Sequence, residues 1–400
     1  MSSLADRSFE KGVPAAASRR VLPPFTEEHE DLRESIRRFI AAELRPHAQE
    51  WEDARWFPNE VFTRMAELGF LGLKYPEEYG GQGGDYLHDA VLTEELPRAG
   101  SGGLSAGVGG HIGIATPPIW KFGTDDQKRR FLAPAIRGEK IGALGITEPD
   151  AGSDVAGIKT FARRVDGGYV VNGSKTFITN GVRADFCVTA VKTTEEGGHQ
   201  GLSFLILEKD MDGYSVSKKL EKMGWHASDT GELAFQDVFV PEENLLGEEN
   251  RGFYLIMANF QWERLLMALG SVGSMQVTLE RTIQYAQERS AFGRPIAKHQ
   301  VIRHKIAEMA LKLETGRAMT YNALRLFHEG GDAVAEVTMA KLQTQRDAFE
   351  VADEAVQIHG GAGYMKEYEV ERAARDTRLG PIGGGTDEIM KEILGKILGL

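Results

Sequence analysis

Two short stretches carry residue types that suit a flat, polar ligand. ITEPDAGSD, Ile146–Asp154, offers hydroxyls at Thr147 and Ser153, and Gly152 lets another molecule come close to the backbone. FITNG, Phe177–Gly181, ends a β-rich run. Side chains alternate along a strand, so Phe177 and Thr179 share a face, an aromatic plane beside a hydroxyl. That pair suits a heteroaromatic ring system. Each stretch also has a plain reading, as a polar loop between strands and as a Phe packed in a core. A third stretch, GPIGGGTDEI over Gly380–Ile389, runs Gly383, Gly384 and Gly385 into Thr386, an N-cap residue for the helical pattern that follows. Such a loop presents backbone N–H groups to a ligand or serves as a tight turn, and its glycines have no side chain for chemistry. An acid occurs in QWERLL as Glu263, next to Arg264. Read alone, it is a helix acid paired with an arginine.

These residues need a frame. From Thr26 the apolar residues Leu32, Ile36, Phe39, Ile40 and Leu44 fall at helix spacing, with Pro46 expected to close the run. A second helix is expected from Asn59 to a C′ glycine at Gly69, and a third over Tyr86–Leu96. Ser101–Ala115 is small and apolar, suited to a tightly packed buried helix, and Asp125–Gly138 is helical again. At about Ile141 the texture changes. Tyr169–Thr179 reads as two β-rich runs around an Asn172-Gly173 turn, and Phe186–Val191, Ser203–Glu208 and Leu233–Val240 read as strands. Ile141–Pro241 is thus expected to form a barrel or sandwich. From about Gly252 the pattern is helical, with helices over Arg264–Arg289, Gln300–Glu329, Asp332–His359 and Thr386–Leu398. The order α, β, α gives an α+β fold. The expected divisions are a tail at 1–24, an α domain at 25–140, a β domain at 141–250 and an α domain at 251–400.

Composition narrows the functions. The 400 residues are 42% hydrophobic and carry a net charge of −12, which disfavours nucleic acid or an anionic membrane as the main partner. Cys187 is the single cysteine, so no intramolecular disulfide and no cysteine-built metal site is available, and a buried inert thiol is expected. No apolar run reaches the ~18 residues of a membrane span. The first twenty residues lack the apolar stretch of a signal peptide.

Six motifs occur in order: ITEPDAGSDVAGIKT, NGSKTFITNG, KMGWHASDTGELAF, RSAFGRPI, QIHGGAGYM and GGGTDEIMKEILG. On these the chain resembles the acyl-CoA dehydrogenase family from about Phe25 onward, most of all its long-chain members and next its isovaleryl-type members. The resemblance implies an N-terminal helical domain, a middle β domain and a C-terminal four-helix domain, with FAD between the last two. It sets Thr147 at the flavin pyrimidine edge, Phe177 against the flavin and Thr179 near its N5, with Ile146 also in the cofactor set. Ser153 is expected by the thioester and pantetheine as well as in the cofactor set. Arg289 and Phe292, with Gln357, Gly360 and Gly361, are expected toward the diphosphate and adenine, and Gln300 is also in the cofactor set. Thr386 and Glu388 complete the set. The resemblance also implies a tetramer in which a neighbouring subunit completes each FAD, an electron-transfer flavoprotein as acceptor, and a home in the bacterial cytoplasm or the mitochondrial matrix.

The family reaction takes a proton from the carbon next to a thioester and a hydride from the following carbon. Many relatives hold the base as a Glu in the terminal loop, where this chain has Gly384. Gly383 also replaces a frequent Tyr. The long-chain and isovaleryl-type members carry the acid in an E-R-L motif, matched here by Glu263, Arg264 and Leu265. The resemblance therefore implies Glu263 as base, Arg264 beside the substrate and Gly384 N–H on the thioester oxygen, with a long or branched acyl chain. Two alternatives stay open: a flavin-dependent oxygenase or oxidase on the same scaffold, and a non-catalytic acyl-CoA-binding protein.

Overall fold

The computed structural model describes residues 21–194 and 198–400. The expected tail lies outside them apart from its last four residues. Helices fill the segment before residue 140. Glu27–Phe39 passes through a wider turn at Ile40–Leu44 and a short 3₁₀ turn into Ala48–Ala54. Pro46 therefore does not close the helix. It sits at the start of the 3₁₀ turn, where its missing N–H costs nothing. Glu60–Glu67 ends in Leu68 and Gly69, which takes φ +79° as a C′ glycine. Tyr86–Glu95 begins at the N-cap Asp85, whose carboxylate accepts from Leu87 N–H at 2.8 Å. Gly102–Gly109 begins at Ser101, widens over Gly110–Ala115 and continues as Thr116–Phe122. Such wide turns often sit at functional sites. His111, on this one, is buried and accepts from Gly142 N–H at 3.0 Å, which ties the helix to the first strand.

The middle segment is an eight-stranded sheet: β1 Gly142–Gly145, β2 Phe161–Val165, β3 Gly168–Thr179, β4 Phe186–Lys192, β5 Leu202–Glu208, β6 Tyr214–Lys219, β7 Thr230–Pro241 and β8 Leu245–Leu246. The path runs β6-β7-β3-β2-β4-β5-β8, with β1 parallel to β4. It folds round one core that includes Tyr169 and Val171 of β3, Val191 of β4, Leu205 of β5 and Phe235 of β7. Cys187 is buried in that core, and burial pushes its thiol up to about 11.

The Asn172-Gly173 turn is not there. β3 runs unbroken through it, and the hairpin turn is Asp166-Gly167, with Val165 paired to Gly168 and Gly167 at φ +75°. Asn172-Gly173 is instead a bulge against β7. Asn172 exchanges two 2.9 Å bonds with Asp237, and a Cβ on Gly173 would stand 2.5 Å from Thr160 Oγ1. Both dipeptides can take positive φ. Asp166-Gly167 has a full strand partner on each side.

The C-terminal bundle has three long helices, Gly252–Glu288, Gln300–His328 and Val334–His359, with two short ones, Val370–Thr377 and Asp387–Ile397. The first starts twelve residues earlier than the sequence pattern suggests, because Leu255, Ile256, Asn259 and Trp262 are already buried on its inner face. Val370–Thr377 has no counterpart in the sequence reading. Its sequence, VERAARDT, is mostly polar, and it is held by its buried Arg372 and Asp376. Among the described residues, no helix is long and apolar enough to cross a membrane.

Candidate active site

A cleft of about 250 Å³ opens between the small-residue helix and Gly252–Glu288. The long helix lines it with Glu263, Met267, Gly270, Ser274, Val277 and Arg281. Steps of three and four keep these positions on one face. Eighteen residues separate the first from the last, about 27 Å of helix axis. Ala106, Gly109, Gly110 and Gly113 line the opposite wall. A Cβ built on Gly109 or Gly270 meets nothing within 4 Å, so both walls are recessed there. Arg281, paired with Glu369, bounds the far end with Arg372.

Glu263 stands at the near end, 8% exposed. Burial pushes its carboxyl up to about 7, against the pull of a hydrogen bond from Asn259 Nδ2 and of the neighbouring Arg264. The Arg264 guanidinium is itself pulled down by burial, and its Nε has no hydrogen-bond partner. It lies over the Phe260 ring at 5.5 Å. Arg264 therefore stabilises the Glu263 anion only in part, and the carboxyl is poised to exchange a proton near neutrality.

The glycine loop packs on the next turn of the same helix. Gly384 has φ +61°, and a Cβ there would lie 2.3 Å from Met267 Sδ. Gly385 has φ +94°, and a Cβ there would lie 3.8 Å from Arg264 Nη2. Among the described residues Gly384 N–H donates no hydrogen bond. The loop is held by Lys341, whose Nζ donates to Gly380 O at 2.9 Å and Gly385 O at 2.6 Å. Thr386 caps the last helix, accepting from Ile389 N–H at 3.3 Å, and Glu388 is exposed on its first turn.

The sheet brings one further residue to the cleft. Thr179 lines the cleft beside Gly110. Phe177 has φ +61° at a break in the β3–β7 register, and 68% of it is exposed. The bulge turns its ring out of the core while Ile178 stays buried. Thr147 is held to β3 by Thr176 N–H, which donates to its carbonyl at 2.9 Å. The buried Lys175 pins the flanking residues, donating to Ile146 O at 3.0 Å and Glu148 Oε1 at 2.7 Å. The Ile146 side chain packs in the core. Ser153 is exposed in its loop and is not among the cleft-lining residues.

A second group lies at the other end of the long helix. Arg289 follows its last turn, 26 residues beyond Glu263 and so about 39 Å along the axis. Tyr285 stacks on His359 at 4.0 Å and donates to its carbonyl at 3.2 Å, which joins the last turn of this helix, before Arg289, to the end of Val334–His359, before Gly360 and Gly361. Arg289 is exposed without an ion pair among the described residues, Phe292 is 95% exposed, and open space surrounds both glycines. An exposed aromatic with hydroxyls at one place, and a free guanidinium with bare backbone at another, fit the ring and the diphosphate of FAD.

Sequence reasoning missed several positioning groups. Asn259 lies one turn before Glu263, in a stretch where the sequence pattern starts the helix only at Arg264. Lys341 and Gln345 sit inside a regular helix with no local mark. Asp376, pushed up to about 7 by burial, accepts from Trp225 N–H at 2.6 Å and Gly102 N–H at 3.0 Å, and so anchors the start of the small-residue helix.

Three family descriptions match in order: acyl-CoA dehydrogenase N-terminal domain over residues 26–139, middle domain over 143–238 and C-terminal domain over 250–399. The chain is 38% identical to a mitochondrial isovaleryl-CoA dehydrogenase of Solanum tuberosum, covering 98% of this chain and 95% of that protein. It is 40% identical to the mitochondrial long-chain specific acyl-CoA dehydrogenase of Mus musculus, covering 93% and 86%. A crystal structure of an acyl-CoA dehydrogenase from Geobacillus kaustophilus superposes with a TM-score of 0.92 at 42% identity, covering 94% of this chain and 100% of that one. The chain belongs to the acyl-CoA dehydrogenase family, FAD-dependent oxidoreductases that dehydrogenate acyl-CoA thioesters.

Proposed function

We propose that this chain dehydrogenates a long or branched acyl-CoA, with Glu263 as the base that takes the α-proton. The observation that carries the reading is a buried carboxyl, poised near pH 7, at the mouth of a cleft that follows one helix face for about 27 Å. Glu263 Oε1 is engaged by Asn259, so Oε2 is the atom offered to the substrate. Gly384 N–H, free of other bonds among the described residues, donates to the thioester oxygen and favours the enolate-like charge that builds as the proton leaves. Arg264 and Ser153 flank the thioester, and Met267 closes the space a loop acid would use. Bound FAD supplies the hydride acceptor. Phe177, Thr147 and Thr179 hold its ring, with Ile146 contributing backbone only. Thr386 and Glu388 stand at the loop end of the same site.

The distance between the two cofactor groups supports a shared site. Arg289, Phe292, Gln300, Gln357, Gly360 and Gly361 are too far from Glu263 to act on the same ring system within one chain. They serve the diphosphate and adenine of a neighbouring copy, in a tetramer. The divisions after residues 24, 140 and 250 are part of this reading, as are an electron-transfer flavoprotein as acceptor and a bacterial cytoplasmic or mitochondrial-matrix setting.

The test is an anaerobic absorbance titration of the purified protein with thioesters from short to long and straight to branched. Bleaching by long or branched chains, with weak bleaching by short ones, is expected. A yellow protein that no thioester bleaches would overturn the reading.

A further inference from the structure

Two helix starts bring their third residues together. His29 lies in the first turn of Glu27–Phe39, and His88 in the first turn of Tyr86–Glu95. Their ring centroids are 4.5 Å apart. One ring nitrogen of each and one carboxylate oxygen of Asp85 fall within 4.8 Å of one another. A third histidine arrives from the end of Gln300–His328, with His328 Nε2 3.7 Å from Asp85 Oδ2.

We propose that this cluster is a structural site for a divalent first-row cation, zinc above all, held by His29, His88 and Asp85 and completed by His328. The donor set of imidazole nitrogens and one carboxylate is what zinc takes. His29 supplies the second observation. It is only 4% exposed, and its Nε2 has no hydrogen-bond partner. A buried polar nitrogen without a partner costs free energy that a cation would recover.

The other ring atoms are already oriented. His29 Nδ1 accepts from Thr26 N–H at 3.1 Å, which leaves the proton on Nε2. Thr26 Oγ1, 2.8 Å from Nδ1, can accept instead. Cation binding therefore moves the His29 proton to Nδ1 and frees the Nε2 lone pair. His88 Nδ1, which accepts from Asp85 N–H at 3.2 Å, lies 2.8 Å from Asp85 Oδ1, so this nitrogen and the carboxylate already stand side by side as two neighbouring ligands would. With Nδ1 an acceptor the proton is on Nε2, 3.6 Å from the Glu28 carboxylate, the carboxylate–imidazole pairing that orients a metal-binding ring. Ligand atoms round zinc stand about 3.3 Å apart. From a spread of up to 4.8 Å the triangle must contract by up to about 1.5 Å, within reach of χ rotations at two first-turn histidines.

The site would join both N-terminal helices to the C-terminal bundle. It is separate from the cleft, though the packing is continuous. Tyr86, next to Asp85, meets the Trp262 ring at 4.6 Å, and Trp262 precedes Glu263.

The test uses tag-free holoenzyme stripped with EDTA and dialysed against zinc chloride, with metal counted by mass spectrometry and unfolding followed by flavin release. One zinc per chain and a raised Tm are expected. His29→Gln and His88→Gln should each weaken binding by at least about 100-fold, while His304→Gln, at an exposed histidine outside the cluster, should leave it intact. If the buried His29→Gln protein fails to fold, His328→Gln, at the rim, reads the same site through a smaller loss. Absence of stoichiometric zinc on the wild type, or stoichiometric zinc that survives both His88→Gln and His328→Gln, would overturn the proposal.

Discussion

Asn259 Nδ2 donates to Glu263 Oε1 from one turn earlier on the same helix, and the same amide lies 3.4 Å from Ile114 O across the cleft. One side chain thus fixes the acid's rotamer and steadies the wall opposite. The bond also favours the ionised carboxyl, in opposition to burial.

Asn259→Leu removes that bond without opening a large void. The Glu263 pKa should rise from about 7. The base must be ionised to work, so the acid limb of the pH–rate profile should move up by about one unit. Flavin reduction measured from pH 5 to 9 with a long-chain thioester checks this. A limb that stays in place would detach Asn259 from the acid.

Glu263→Gln should keep flavin and thioester binding and lose turnover by about 10²–10⁴-fold. It also carries a stability signature. The folded pKa is raised from 4.5 to about 7, so the folded state binds the extra proton between those values. Wild-type stability from this group is full below pH 4.5 and is lost as pH rises through 7. The variant lacks that loss. Its stability relative to wild type should therefore grow between pH 5 and 8, by up to about 3 kcal/mol, in urea unfolding at the two pH values.

Gly384→Ala meets two obstacles, the positive φ and Met267 Sδ at 2.3 Å. It should cost about 1–3 kcal/mol and displace the loop N–H. Adding Met267→Ala should recover part of the Tm, since it relieves the contact and leaves the backbone strain. Full recovery would show that the φ matters little. Gly384→Glu faces the same obstruction, so it should not replace Glu263 unless Met267 is also trimmed.

Lys341→Met removes both bonds to the loop carbonyls and the charge that ties the loop from beneath. The KM for the thioester should rise several-fold with flavin content unchanged. Stopped-flow reduction at several substrate concentrations separates that from a loss in the chemical step.

Gly109→Leu fills space into which a Cβ already points freely. Long-chain thioesters should lose at least tenfold in kcat/KM, and short ones little. Equal losses would mean that the acyl chain does not pass Gly109.

The architecture was legible where the pattern was long or strongly periodic, as in the β4 and β5 runs or the Gln300–His328 helix. It failed where two readings used the same residues. Asn172-Gly173 and Asp166-Gly167 both suit a turn, and only strand pairing decides between them. Pro46 reads as a stop because a proline inside a helix costs a bond, yet a short 3₁₀ turn absorbs it. Glu263 could be singled out as a candidate only through the resemblance that its E-R-L setting carries. Asn259, Lys341 and Asp376 could not. Their partners lie up to 274 residues away or across a turn whose start was misplaced, and nothing beside them in the chain marks a buried polar role.

The long helix is also a ruler. Its cleft-facing positions, Met267, Gly270, Ser274, Val277 and Arg281, are graduations counted from the acid. Each turn advances about 5.4 Å, close to four carbons of an extended chain. A bulky side chain at any one graduation would set a stop, and the choice of graduation would set the chain length admitted. On the proposed function, chemistry and length selection would share a single rigid scale, so one could be retuned by moving the stop while the zero mark stays where it is.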